Sequence, residues 1–195
     1  GENALSVPKI SKTTLGFKES DKLIIIVAGS LGSSTFNEKF KAFLQIVGKE
    51  NYKILYVTGK SYYEDFVANT VFPKNVKVVP YFDNLSGLMK DAYLLISRAG
   101  ASTISEILAL KIPSILIPSP YVAGNHQYYN ALDLVNMHVA ELLEEKNLTT
   151  DLIQVSINEL VNNQKCYNEL KNNLEKLNLK ESSTIIYEEI KELLK

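Results

Sequence analysis

Cysteine is nearly missing from this 195-residue chain. Cys166 stands alone, so neither a disulfide framework nor a multi-cysteine metal site can be assembled. Histidine is almost as scarce: His126 and His138 are too few for most zinc sites. No metal and no cofactor is expected. Neither sign of charge dominates, because charged residues make up 22% and the formal net charge is -1. With no basic excess to draw phosphate backbones from solution, a nucleic-acid partner is not expected. No apolar run comes near the roughly 18 to 20 residues of a membrane span. The N-terminus carries no signal-peptide pattern. Of the 21 Lys and Arg residues only Arg98 is an arginine. Its planar fork cannot be exchanged for an ammonium wherever two acceptors must be held at once.

Hydrophobic residues make up 46% of the chain, enough for one well-buried domain with at most a small appendage. The run Leu23-Ile24-Ile25-Ile26-Val27-Ala28 is continuous and β-branched. Such a run reads as a strand buried on both faces, hence a parallel sheet under helices. Similar runs recur at 53–57, 76–79, 93–97, 114–117 and 139–142, with helical spacings between them, as in Phe36, Phe40, Phe43, Leu44 and Val47. The expected fold class is α/β, a Rossmann-like doubly wound parallel sheet of about six strands. Beyond Thr149 helices are expected, the last two near 167–177 and 183–194, packed on the same sheet. Residues 1–20, with Pro8 and Gly16, read as irregular.

Ligands of doubly wound sheets bind beyond the carboxyl ends of the strands, and each strand end offers something. After the first come Gly29, Ser30 and Gly32, either a plain turn into a helix or a loop whose amides meet an anion. After the third come Tyr81, Phe82 and Leu85, either packing under a loop or a platform for a flat base. After the fourth come Arg98, Gly100, Ala101, Ser102, Thr103 and Glu106. Thr103 and Glu106 fit a capping box as N-cap and N3. Alternatively, Glu106 accepts hydrogen bonds from the vicinal hydroxyls of a ribose. After the fifth come His126 and Gln127, either a polar first turn or a pair able to read a sugar. Together the four ends describe a nucleoside-diphosphate sugar.

The segment Ile96-Ser97-Arg98-Ala99-Gly100-Ala101-Ser102-Thr103-Ile104-Ser105-Glu106, with Pro113 and then His126-Gln127-Tyr128-Tyr129-Asn130-Ala131, resembles the donor-site signature of the MurG family. These are UDP-N-acetylglucosamine (UDP-GlcNAc) transferases of peptidoglycan synthesis. Ala28-Gly29-Ser30-Leu31-Gly32 resembles the family's second glycine-rich loop. The resemblance covers roughly residues 20–145. It implies one half of a GT-B glycosyltransferase, the C-terminal donor-binding domain, at 21–195, with residues 1–20 as a remnant of the interdomain linker. It also implies roles. Ser30 and the backbone of residues 29–32 would hold diphosphate, with Ala101, Ser102 and Thr103 near it. The Phe82 backbone would meet the uracil edge, with Tyr81 and Leu85 lining the pocket. Glu106 would bind ribose, Arg98 would border the pocket, and Gln127 with His126 would read the GlcNAc hydroxyls. Ala28, Leu31 and His126 stand where the family often has Gly, Gln and Gln.

The reaction so implied is inverting transfer of GlcNAc to lipid I, giving lipid II, without a metal. Catalytic residues, lipid I contacts and membrane contact would belong to an N-terminal domain absent from this chain, so the chain alone is expected to be inactive. Localisation would be cytoplasmic, peripheral on the inner face of the membrane. Two alternatives share the architecture. One is a separate donor-binding subunit of a two-chain GlcNAc transferase. The other is a UDP-GlcNAc 2-epimerase-like enzyme, whose acid/base carboxylates and histidines find no obvious counterparts here.

Overall fold

The computed structural model of the chain describes residues 2–29 and 32–177. The helix expected at 183–194 lies outside the described residues. Six strands form one sheet: β1 (Lys22–Val27), β2 (Tyr52–Val57), β3 (Val76–Val79), β4 (Leu94–Ser97), β5 (Ser114–Leu116) and β6 (Ala140–Leu142). Their spatial order is β3-β2-β1-β4-β5-β6, and every pairing is parallel. Each strand begins and ends within a residue or so of the apolar run that announced it.

The sheet is parallel because its strands have no polar face. Leu23, Ile24, Ile25 and Ile26 are all fully buried. Successive side chains of a strand point to opposite faces, so both faces need cover. Ile24 and Ile26 join one core cluster, with Phe36, Phe40 and Phe43 of α2 (Ser34–Ile46). A short helix, α3 (Tyr63–Val67), adds Phe66 to that cluster. Leu23 and Ile25 join the other, with Leu88 of α4 (Leu85–Met89), Ile107 of α5 (Ala101–Leu110) and Leu134 of α6 (His126–Asn136). On the first face the aromatic rings stack in pairs, Phe36 with Phe40 at 4.6 Å and Tyr56 with Phe66 at 5.0 Å. Burial raises the Tyr56 hydroxyl well above its ordinary pKa, and that hydroxyl donates to Asn37 Oδ1 at 2.8 Å.

The described helices after Thr149 pack on the same sheet, as expected. Thr149 caps α7 (Thr150–Asn162) by accepting from Leu152 N at 3.1 Å. Ile153, Ile157 and Leu160 of α7 complete the first cluster. The next helix, α8 (Gln164–Lys176), touches both clusters, through Leu170 and Leu174 respectively. Among the described residues no helix is long and apolar enough to cross a membrane.

Residues before β1 are more ordered than their composition suggests. A one-turn helix, α1 (Glu2–Ser6), is followed by a 3-10 turn at Lys12–Leu15, with Ser11 as its N-cap and Gly16 in the left-handed conformation as its C-cap. Leu15 and Phe17 are buried in the second cluster. The segment is fastened to Asp91: Lys12 N donates to Asp91 Oδ2 at 2.8 Å, and Lys9 Nζ sits 2.7 Å from Oδ1. Burial alone would raise the Asp91 carboxyl, but the Lys12 amide and the Lys9 ammonium outweigh it and hold the carboxyl below the usual range.

A depressed folded-state value stabilises the fold above the ordinary aspartate pKa of about 3.9. That contribution is lost as pH falls through the lowered value. Acidification below about pH 4 is therefore expected to release residues 9–12 from α4. Protection of the Lys12 amide, taken relative to the intrinsic exchange rate at each pH, should fall there in the wild type and already at neutral pH in Asp91→Asn.

Candidate functional site

The strand order reverses between β1 and β4. From β1 the chain turns to α2 on one face, and from β4 to α5 on the other, leaving a crevice at the carboxyl edge. Two adjoining cavities open there, of about 440 Å³ and about 560 Å³. Gly29, Arg98, Ser102 and Thr103 line both.

The first cavity is a slot between strand ends and α4. Val27, Val57, Phe82, Leu85 and Met89 line it, and Glu106 reaches it from α5. Asn84 caps α4, accepting from Gly87 N at 3.1 Å. Ser86 Oγ donates to Glu106 Oε1 at 2.6 Å, which fixes the carboxylate at the cavity wall. Tyr81 is half exposed at the mouth, with Lys60 Nζ 4.8 Å above its ring.

The second cavity is floored by the glycine turn and the start of α5. Gly29 has φ +103 and open space where a Cβ would be, so backbone conformation is what demands glycine there. Gly32, at φ +78, is excluded twice: a Cβ would lie 2.4 Å from Thr58 O and 2.7 Å from the Tyr62 ring. Ser30, expected to hold diphosphate, and its neighbour Leu31 lie outside the described residues. Gln127 lines this cavity, its Oε1 accepting from Ser119 N at 2.9 Å. His126, expected beside it as a sugar reader, instead turns Nδ1 to Ala123 O at 2.9 Å and is exposed outside both linings. Ala101 also contributes no side chain to either lining, although its backbone opens α5.

The capping box is corrected. α5 starts at Ala101 with Gly100 as N-cap, in extended conformation and without a side-chain cap bond. Its first helical hydrogen bond runs from Ile104 N to Gly100 O at 2.9 Å. Thr103 is thus the third helical residue and Glu106 the sixth, too far along to reach back to an N-cap. Two consequences follow. The Glu106 side chain is released to the cavity wall. The amides of Ala101, Ser102 and Thr103 stand at a helix start that no side chain among the described residues closes, where the positive dipole end favours an anion.

Arg98 borders both cavities, but its guanidinium is tied to protein. Nη1 contacts Glu145 Oε2 at 2.6 Å and donates to Ile117 O at 3.2 Å; Nη2 donates to Ser33 Oγ at 3.0 Å. The group also lies 5.0 Å from the Phe36 ring centroid. Ser33 is the N-cap of α2, so the fork joins the ends of β4 and β5 to the glycine turn. Glu145 was not foreseen: it lies 47 residues from Arg98, and no local pattern links them. Ser86 and Asn84 were missed as well. Only the N-cap spacing before a helix could have flagged Asn84.

A parallel sheet of this order, with a glycine turn, an open helix start and a carboxylate around one crevice, is the Rossmann-like half of a GT-B glycosyltransferase. Residues 23–186 match the model of the glycosyltransferase family 28 C-terminal domain, and the chain belongs to that family. A relative from Bacillus cytotoxicus is 35% identical over 187 residues, which cover 94% of this chain and 51% of the relative. That relative is a UDP-N-acetylglucosamine--N-acetylmuramyl-(pentapeptide) pyrophosphoryl-undecaprenol N-acetylglucosamine transferase. The crystal structure of Acinetobacter baumannii MurG superposes with a TM-score of 0.71 at 25% identity, covering 89% of this chain and 50% of that one. The glycosyltransferase VinC in complex with dTDP matches with a TM-score of 0.66 at 15% identity, over 87% and 39% of the two chains, a likeness of fold alone. The chain spans about half the length of the curated relatives it matches.

Arg98→Met leaves Glu145 as an unpaired buried charge and is expected to cost about 3–5 kcal/mol of stability. Arg98→Lys keeps the charge but not the fork, and should fall between that variant and the wild type in urea denaturation. A wild-type midpoint for Arg98→Met would contradict the structural role.

Proposed function

We propose that this chain binds UDP-GlcNAc as the donor half of an inverting N-acetylglucosaminyltransferase that converts lipid I to lipid II. The observation that carries the reading is the convergence of an apolar slot, a carboxylate, an uncapped helix start and a polar glutamine along one crevice. The uracil lies in the slot with its edge on the Phe82 backbone, between Leu85 and Tyr81. Glu106 accepts from the ribose hydroxyls. The amides of Gly29, Gly32 and residues 101–103 surround the diphosphate, and Gln127 faces the amino sugar.

Chemically, the acceptor 4-hydroxyl attacks the anomeric carbon and UDP departs. Negative charge grows on the leaving diphosphate, where fixed amides and the α5 dipole stabilise it without reorganisation. The base that takes the acceptor proton, and the lipid and membrane contacts, belong to a preceding domain outside this chain, which residues 1–20 would join to the donor domain at 21–195. The complete enzyme works in the cytoplasm, peripheral on the inner face of the membrane. The names of the relatives, which specify this donor and this acceptor, support the reading.

Titration calorimetry with UDP-GlcNAc, UDP, ADP-glucose and GDP-mannose tests it. Binding of the two uridine nucleotides and not of the purine ones is expected, with no transfer by the chain alone. Equal binding of all four would overturn the donor assignment, and turnover of a lipid acceptor by the chain alone would overturn the half-enzyme assignment. Glu106→Ala should weaken UDP by about tenfold or more and leave 2′,3′-dideoxy-UDP unaffected. Equal losses for both would remove Glu106 from the ribose.

A further inference from the structure

Val7 lines the 440 Å³ slot, although it precedes the sheet in the chain. It is half-buried, and a built scaffold keeps it there. Lys90 Nζ gathers two carbonyls of the segment, Leu5 O at 2.7 Å and Val7 O at 2.5 Å. Ile10 N donates to Gly87 O at 2.9 Å. Pro8 O lies where a Cβ on residue 87 would be, 2.5 Å away, so the strap sits directly on the α4 backbone. Lys9 and Lys12 close the far end on Asp91. Between Ser6 and Lys12 the segment has no helix or strand of its own, and its course is set by these contacts with α4.

We infer that Val7 is a base-positioning residue: the strap is a wall of the nucleoside slot, and the Val7 side chain packs on the uncharged heteroaromatic ring of the bound nucleotide. The inference rests on the donor reading and deepens it. The slot is apolar where Val7, Val27, Val57, Phe82, Leu85 and Met89 meet, which suits the face of a flat base. Charged phosphates belong at the other end, among the amides of α5. Val7 therefore acts on the nucleoside and not on the diphosphate, and the Lys90 clamp acts through Val7.

The test measures uridine, UDP and inorganic pyrophosphate binding to the whole chain by calorimetry. Val7→Ala removes part of one wall and is expected to weaken uridine and UDP by the same factor, about three- to tenfold, with pyrophosphate unchanged. Val7→Phe fills the slot and should abolish uridine binding while pyrophosphate still binds. Lys90→Met frees both carbonyls and should reproduce the Val7→Ala pattern. Val155→Ala, at an exposed position on α7 outside the slot, should change nothing. If the wild type binds UDP while Val7→Ala and Val7→Phe keep full uridine affinity, the wall is elsewhere and the inference fails alone. Parallel losses of uridine and pyrophosphate would make Val7 a folding residue and also overturn it. A wild type that binds neither uridine nor UDP overturns the donor reading and this inference together.

Discussion

β1 has no face that water can touch, and the architecture follows from that. A strand carrying Leu23, Ile24, Ile25 and Ile26 must be covered above and below, so its neighbours must be reached by helical crossovers and not by hairpins. Crossovers to opposite faces force the strand order to reverse somewhere, and they reverse it beside β1. The crevice that opens there is a by-product of burying an apolar strand. The polar chemistry of the site is laid on the rim of a structure that hydrophobic cover had already determined.

At that rim polar groups from several loops converge, and one side chain keeps them in order. The Arg98 guanidinium touches Glu145, the Ile117 carbonyl and the Ser33 hydroxyl, tying three separate connections to the end of β4. A buried ion pair adds little to stability compared with apolar packing of the same volume. Its use here is geometric: the α2 cap and the start of α5 are held at a set spacing by one planar group. A point charge could neutralise Glu145 but could not also reach the other two acceptors in fixed directions.

The sheet was legible in the sequence because each strand is a continuous apolar run bounded by turn residues, a signal needing no long-range information. The four loops that line the crevice followed from their places after those runs. What failed was local pattern set against global placement. Thr103 and Glu106 have the spacing of a capping box, yet the helix begins earlier, where Gly100 can be extended and carry no side chain at an open rim. Residues 1–20 read as irregular because their order comes from partners such as Asp91, 79 residues beyond Lys12. Glu145 was invisible for the same reason. His126 was legible as a polar residue at a helix start, but its ring satisfies the turn beneath it.

The pairing of β1 with β4, Ile24 beside Leu94 and Val27 beside Ser97, has a kinetic meaning. During synthesis β1 can find β2 soon after the two have emerged, but its other edge waits until some seventy further residues have left the ribosome. Through that interval the most apolar strand of the sheet presents an unsatisfied edge, a template for another nascent chain. Slow, non-local closure at the centre of the sheet is thus built into the same topology that creates the crevice, and helpers that shield exposed strands during translation would matter most for this part of the molecule.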